Sequence, residues 1–84
     1  MIYLCYVYIL KCNDNTLYTG WTVNLDNRID THNIGKASKY TRARLPVKLV
    51  YFETYNNKID AQKREYAIKQ LSREEKIKLI EVKK

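Results

Sequence analysis

No apolar run in this 84-residue sequence is long enough to cross a bilayer. The longest, Met1 to Leu10, ends at Lys11 and has no basic stretch before it, so it reads as neither a membrane span nor a leader. Cysteine is scarce: Cys5 and Cys12 lie seven apart, a spacing that fits no zinc or redox motif. If Met1 to Cys12 is one strand, odd and even positions point to opposite faces. A disulfide between the two is then excluded, and reduced thiols in the cytoplasm are expected. No internal repeat, linker or low-complexity segment divides the chain, and its composition does not read as disordered. Acidic charge is in deficit, with nine Asp and Glu against sixteen Lys and Arg for a net +7. Such an excess attracts polyanions, nucleic acid first among them, although charge serves solubility equally well.

What is present suits one small domain, residues 1–84. A chain of this length buries only about 60% of its unfolded surface, so any site must be built into the elements that form the core. Leu4 to Leu10 is rich in tyrosine and β-branched residues and reads as a buried central strand. Asn13-Asp14-Asn15 turns the chain, and Thr16 to Trp21 returns as a second strand. Thr22 or Asn24 caps a helix through Leu25, Arg28, Ile29 and His32, which Gly35 ends. Lys36 to Leu45 is a basic loop with room for one helical turn, and Pro46 introduces a third strand, Val47 to Tyr55. A helix follows from Ala61 to Leu71, and Ser72-Arg73-Glu74-Glu75 opens a last one to Val82 as a capping box. The expected fold class is α+β, a three-stranded, mainly antiparallel sheet flanked by helices in the order ββαβαα.

Candidate chemistry begins with the tyrosines. A three-residue loop at 13–15 pairs Leu10 with Tyr18 and Tyr8 with Gly20, so Tyr8 and Tyr18 project from one face. The small Gly20 beside them leaves room for a ligand. A two-residue loop would put the tyrosines on opposite faces. Arg28 and His32, four apart, share one helical face, where an arginine can grip phosphate with two parallel bonds. Glu65 falls in an Ala61, Glu65, Ile68 row, so its carboxylate is expected to face the core and to need a partner, a metal or a raised pKa. Lys36, Lys39, Arg42 and Arg44 with Tyr40 among them suit a surface that tracks a nucleic-acid backbone.

Each feature also has a plain structural reading. Strand tyrosines fill cores and rims. An arginine and a histidine at a stripe's edge can be a snorkelling side chain and a packed ring. Glu65 can pair with Arg28, or with Arg64 or Lys69, although the last two are expected to point elsewhere. A basic loop can simply be solvated.

Taken together, Tyr6-Val7-Tyr8 and Tyr18-Thr19-Gly20, followed by Arg28, His32 and Glu65, resemble the GIY-YIG nucleases over essentially the whole chain. Tyr6 replaces the first motif's glycine and Thr19 the second's isoleucine, leaving Tyr8 and Tyr18 matched. The compact form is similar to small stand-alone bacterial members. The resemblance implies a DNA endonuclease with one Mg2+ or Mn2+ ion, serving DNA repair or recombination. Tyr8, or a phenolate shared with Tyr18, would activate water, Arg28 and His32 would hold the phosphate, and Glu65 would bind the metal. The implied partner is duplex or branched DNA, with a protein partner or a homodimer supplying selectivity, and no membrane. Trp21 stands where several relatives carry a lysine that could lower a phenol's pKa, and the asparagine some carry well beyond the glutamate has no clear counterpart. A nucleic-acid-binding module with a vestigial site, and a protein-recruiting adaptor, are the alternatives.

Overall fold

The computed structural model describes residues 4–83; expectations placed on Met1-Ile2-Tyr3 and Lys84 lie outside the described residues. The elements are β1 (Cys5–Lys11), β2 (Leu17–Thr22), α1 (Leu25–Asn33), α2 (Lys39–Arg42), β3 (Lys48–Tyr55), α3 (Lys58–Lys69) and α4 (Arg73–Lys83). The expected α+β order ββαβαα holds, with the anticipated single turn in the basic loop present as α2. The sheet runs β2-β1-β3 with both pairings antiparallel.

β1 is almost wholly apolar because both of its faces are covered. Cys5, Val7 and Ile9 point to one side, packing with Tyr51, Ala61 and Ile68 under α3, while Leu79 and Ile80 of α4 close that cluster. Tyr8, Leu10 and Cys12 point to the other, against Val47 and the α1 residues Leu25 and Ile29. The two cysteines therefore belong to opposite layers, and both are free and buried. β3 carries one extra residue opposite the Ile9–Leu10 step, since Ile9 pairs with Tyr51 and Leu10 with Leu49.

The ends of the elements follow side-chain chemistry. The 13–15 loop closes with Cys12 N–H donating to the Thr16 carbonyl at 2.9 Å and Asn15 in the left-handed region, φ 67°. Asn24 caps α1 by accepting from Asn27 N–H, and Gly35, φ 80°, takes the chain out of it. α3 begins earlier than the expected Ala61. Asn57 accepts from Asp60 N–H at 2.8 Å, which starts the helix at Lys58. The capping box is present, Ser72 Oγ accepting from Glu75 N–H and Glu75 Oε1 from Ser72 N–H. Asn33 bonds both the N–H and the carbonyl of Val47, so α1 is tied to the start of β3. Among the described residues no helix is long and apolar enough to cross a membrane.

Candidate active site

The hairpin register decides what can meet. Tyr8 pairs with Gly20 and Leu10 with Tyr18, as a three-residue loop requires. Tyr8 and Tyr18 consequently point to the α1 side together. The space over Gly20 is not left for a ligand, contrary to expectation. Tyr8 fills it: a Cβ on Gly20 would lie 2.5 Å from the phenol oxygen.

Tyr8 is buried, and its Oη lies 2.9 Å from Nε2 of His32, itself buried in the last turn of α1. The other ring nitrogen, Nδ1, lies 2.8 Å from Oγ1 of Thr41 on α2. The Tyr18 ring meets His32 edge-on with centroids 5.2 Å apart and also stacks on Tyr40 at 6.0 Å. Arg44 closes the row. Its guanidinium sits 3.9 Å over the Tyr40 ring and is held by Asp14 at 3.0 Å and the Tyr40 carbonyl at 2.8 Å. The hairpin, α1 and α2 thus share one continuous run of rings, Tyr40–Tyr18–His32–Tyr8, capped by the Arg44 guanidinium.

Electrostatics at the centre oppose an ionised phenol. Burial pushes the Tyr8 pKa well above its ordinary value, Tyr18 and Glu65 push the same way, and only Arg28 pulls it down, by charge and by hydrogen bonding. His32 is shifted downward, by burial first and then by the Arg28 charge, which favours its neutral form. Trp21 adds nothing to Tyr8, because it belongs to the opposite face and packs with the core under α3.

Glu65 needs correction. It stands at the margin of the buried stripe formed by Ala61 and Ile68, with its side chain 20% exposed. Lys69 does not point elsewhere. One turn on along the same face, its Nζ reaches Glu65 Oε2 at 3.4 Å. Arg64 turns instead to Glu53, and among the described residues no ion pair joins Glu65 to Arg28. Glu65 is nonetheless near enough to Tyr8 to raise its pKa. No group of three or more His, Cys, Asp or Glu that could hold a metal exists among the described residues. A lone, partly open carboxylate fits a hard ion that keeps most of its water, as magnesium does, and does not fit zinc.

The basic residues divide. Lys36, Lys39 and Arg42 line an open depression of about 320 Å³ with Gly35 and Ser38, and make no ion pair among the described residues. Arg44 and Tyr40 are instead built into the ring stack, where Tyr40 stays exposed and Arg44 is held by Asp14.

Two parts of the arrangement escape the sequence reading. Thr41 is fully buried against His32, yet inspection shows only a threonine in a charged loop. Glu53 on β3 accepts two bonds from Arg64, at 2.9 and 3.0 Å, and further bonds from the Tyr51 and Tyr55 hydroxyls. That cluster lies on the α3 side of the sheet and fastens the helix carrying Glu65. The alternation of Tyr51, Glu53 and Tyr55 on one strand face is the signal that could have found it.

A model of the GIY-YIG catalytic domain matches residues 4–78. A UPF0213 protein of Clostridium perfringens is 64% identical over 75 residues, covering 89% of this chain and 81% of that one. One from Staphylococcus haemolyticus is 58% identical over 76 residues, covering 90% and 93%. Among solved structures, the UPF0213 protein of Bacillus halodurans is similar with a TM-score of 0.63 and 45% identity, over 95% of this chain and 85% of that one. A protein of E. faecalis has a TM-score of 0.64 and 33% identity, over 94% and 84%.

Proposed function

The chain belongs to the GIY-YIG family, and from that membership we propose that it is a metal-dependent endonuclease hydrolysing DNA phosphodiester bonds, in repair or recombination. The observation that carries the proposal is the convergence of Tyr8, His32 and Arg28, with Glu65 in electrostatic range of the phenol. Branched or duplex DNA is the substrate, a protein partner or a second copy supplies selectivity, and the protein works in the cytoplasm.

Because the phenol resists ionisation, Tyr8 acts as a relay and not as a standing phenolate. Water gives a proton to Tyr8 Oη while the phenol's own proton passes to His32 Nε2, which becomes imidazolium. The hydroxide forms a bond to phosphorus as the bond to the leaving oxygen breaks, and the alkoxide takes a proton from solvent. Arg28 holds the phosphate, with Tyr18 walling the site through its contact with His32. Glu65 would hold a divalent cation, which when bound offsets negative charge on the leaving oxygen. Lys36, Lys39 and Arg42 would carry the flanking backbone, with Tyr40 and Arg44 supporting the wall behind them.

The test is cleavage of a branched and duplex DNA panel with and without magnesium, comparing wild type with Glu65→Gln. Glu65→Gln should lose cutting yet bind DNA with the same salt dependence. Its metal-free melting temperature should stay close to wild type, since an i,i+4 pair with its lysine in solvent contributes only about 0.3–0.5 kcal/mol. Undiminished cutting by Glu65→Gln would remove it from the site. DNA binding with no cutting by wild type under any metal would favour the vestigial module instead.

A further inference from the structure

His32 is the chain's single histidine, and both of its ring nitrogens have partners. A neutral imidazole carries one N–H, so one nitrogen donates and the other accepts. The Thr41 end of the hydrogen-bonded chain decides which. There the Thr41 hydroxyl also faces the Ser38 carbonyl at 3.4 Å, and a carbonyl only accepts. The single Thr41 proton turns to Ser38, leaving its lone pairs for His32 Nδ1–H. At the other end, Tyr8 Oη lies 2.9 Å from Nε2, the nitrogen that an Nδ1–H tautomer leaves bare, so the phenol donates its proton there. The hydrogen-bonded chain then runs in one direction from Tyr8 to Ser38.

We propose that Thr41 is a positioning residue that holds His32 as its Nδ1–H tautomer, leaving Nε2 bare to receive the Tyr8 proton. Its catalytic consequence rests on the nuclease reading above, whereas the tautomer itself does not. Thr41 and His32 are 0% and 1% exposed, which leaves little room for water to compete. The groups facing the imidazole are Arg28 on α1, Tyr8 on β1 and Tyr18 on β2, with Tyr40 behind Tyr18 and Glu65 acting through Tyr8. Among the described residues no carboxylate pairs with the ring. Thr41 therefore orders the tautomer without a charge that would protonate the resting ring and occupy Nε2 before the transfer. It comes from the same short turn that presents Lys39 and Arg42, so contact with a nucleic-acid backbone and the setting of the imidazole share one element.

The single histidine makes the experiment direct. In 15N-labelled protein at a pH where His32 is neutral, its two nitrogen shifts should show a protonated Nδ1 and a bare Nε2. Thr41→Val, which keeps the shape and removes the hydroxyl, should yield a mixture containing Nε2–H. It should also lower kcat by about 10–100-fold with KM for duplex DNA unchanged. Thr41→Ser should restore both. Nε2–H in wild type, or an unchanged Nδ1–H in Thr41→Val, would overturn the proposal. Should Thr41→Val fail to fold, the spectra of wild type and Thr41→Ser decide, since Nε2–H in either overturns it. A wild type that never cuts DNA would sink the nuclease reading while the nitrogen shifts still judge the tautomer.

Discussion

Tyr8 lies directly over Gly20, its cross-strand partner: a Cβ at residue 20 would fall 2.5 Å from the phenol oxygen and 2.6 Å from Cζ. No side chain fits there while the ring holds its place. The absence of a side chain at Gly20 is thus a condition for the 2.9 Å contact between Tyr8 and His32. Gly20→Ala should force the ring off His32 or shift the strand, destabilising the fold by about 1–3 kcal/mol and abolishing cleavage. Urea melts and single-turnover cutting check it. Unchanged stability with full activity would mean that the ring has room to move.

Thr19, beside Gly20, presents the opposite problem. Its Oγ1 is buried with no hydrogen-bond partner among the described residues, and its cross-strand neighbour is the fully buried Ile9. An orphaned hydroxyl of this kind is destabilising by about 1–3 kcal/mol. Thr19→Val keeps the shape and should raise stability by about 1 kcal/mol. A lower melting temperature would reveal a partner for the hydroxyl in solution.

The Glu53 cluster sets acid stability. Burial by itself would raise the Glu53 pKa, but the bonds from Arg64, Tyr51 and Tyr55, with the Arg64 charge, outweigh it and hold the carboxyl at about 2, below its ordinary 4.5. A carboxylate depressed in the folded state contributes stability that is full above pH 4.5 and is lost as pH falls through about 2. Arg64→Ala should cost about 1.5–3 kcal/mol at neutral pH, as expected for hydrogen bonds to a charged group. Its deficit against wild type should shrink as the pH is lowered from 4.5 towards 2. A deficit independent of pH would assign the loss to packing alone. The same variant should weaken cutting, because α3 carries both Arg64 and Glu65.

How far these features were legible in the sequence depends on chain separation. The hairpin register follows from a three-residue loop, so the shared face of Tyr8 and Tyr18 could be deduced from counting. Arg28 and His32 sit one turn apart on α1, and helix geometry alone places them together. Thr41 meets His32 only through the path of an irregular loop, which residue types do not encode. Arg44 finds Asp14 across thirty positions with nothing local to mark the pair, and Arg64 finds Glu53 across eleven, where the alternation of Tyr51, Glu53 and Tyr55 marks only the strand half of the cluster. The expectation that Lys69 points away from Glu65 fails over one turn of helix. An apolar row shows which face is inward, but not that a flexible lysine four residues on will bend back to the carboxylate.

The pH dependence of cutting separates a relay from a phenolate. Burial raises the Tyr8 pKa above its ordinary 10.0, with Tyr18 and Glu65 adding to it against Arg28, so no useful phenolate exists near neutrality. If Tyr8 were the standing base, the rate would climb about tenfold per pH unit through neutrality and beyond. In the relay the acceptor is neutral His32, whose pKa burial and Arg28 move below 6.5. Protonation removes that acceptor, so the rate should fall as pH drops through the lowered His32 value and stay flat from about pH 7 upward. Tyr8→Phe should remove the activity at every pH, since the proton can no longer reach Nε2. His32→Gln should keep DNA binding and lose the acid-side inflection along with most of the rate. Single-turnover rates between pH 5 and 9, taken at saturating magnesium, make the distinction. A tenfold rise per unit across that whole range would return the role to the phenolate and leave His32 a packing residue.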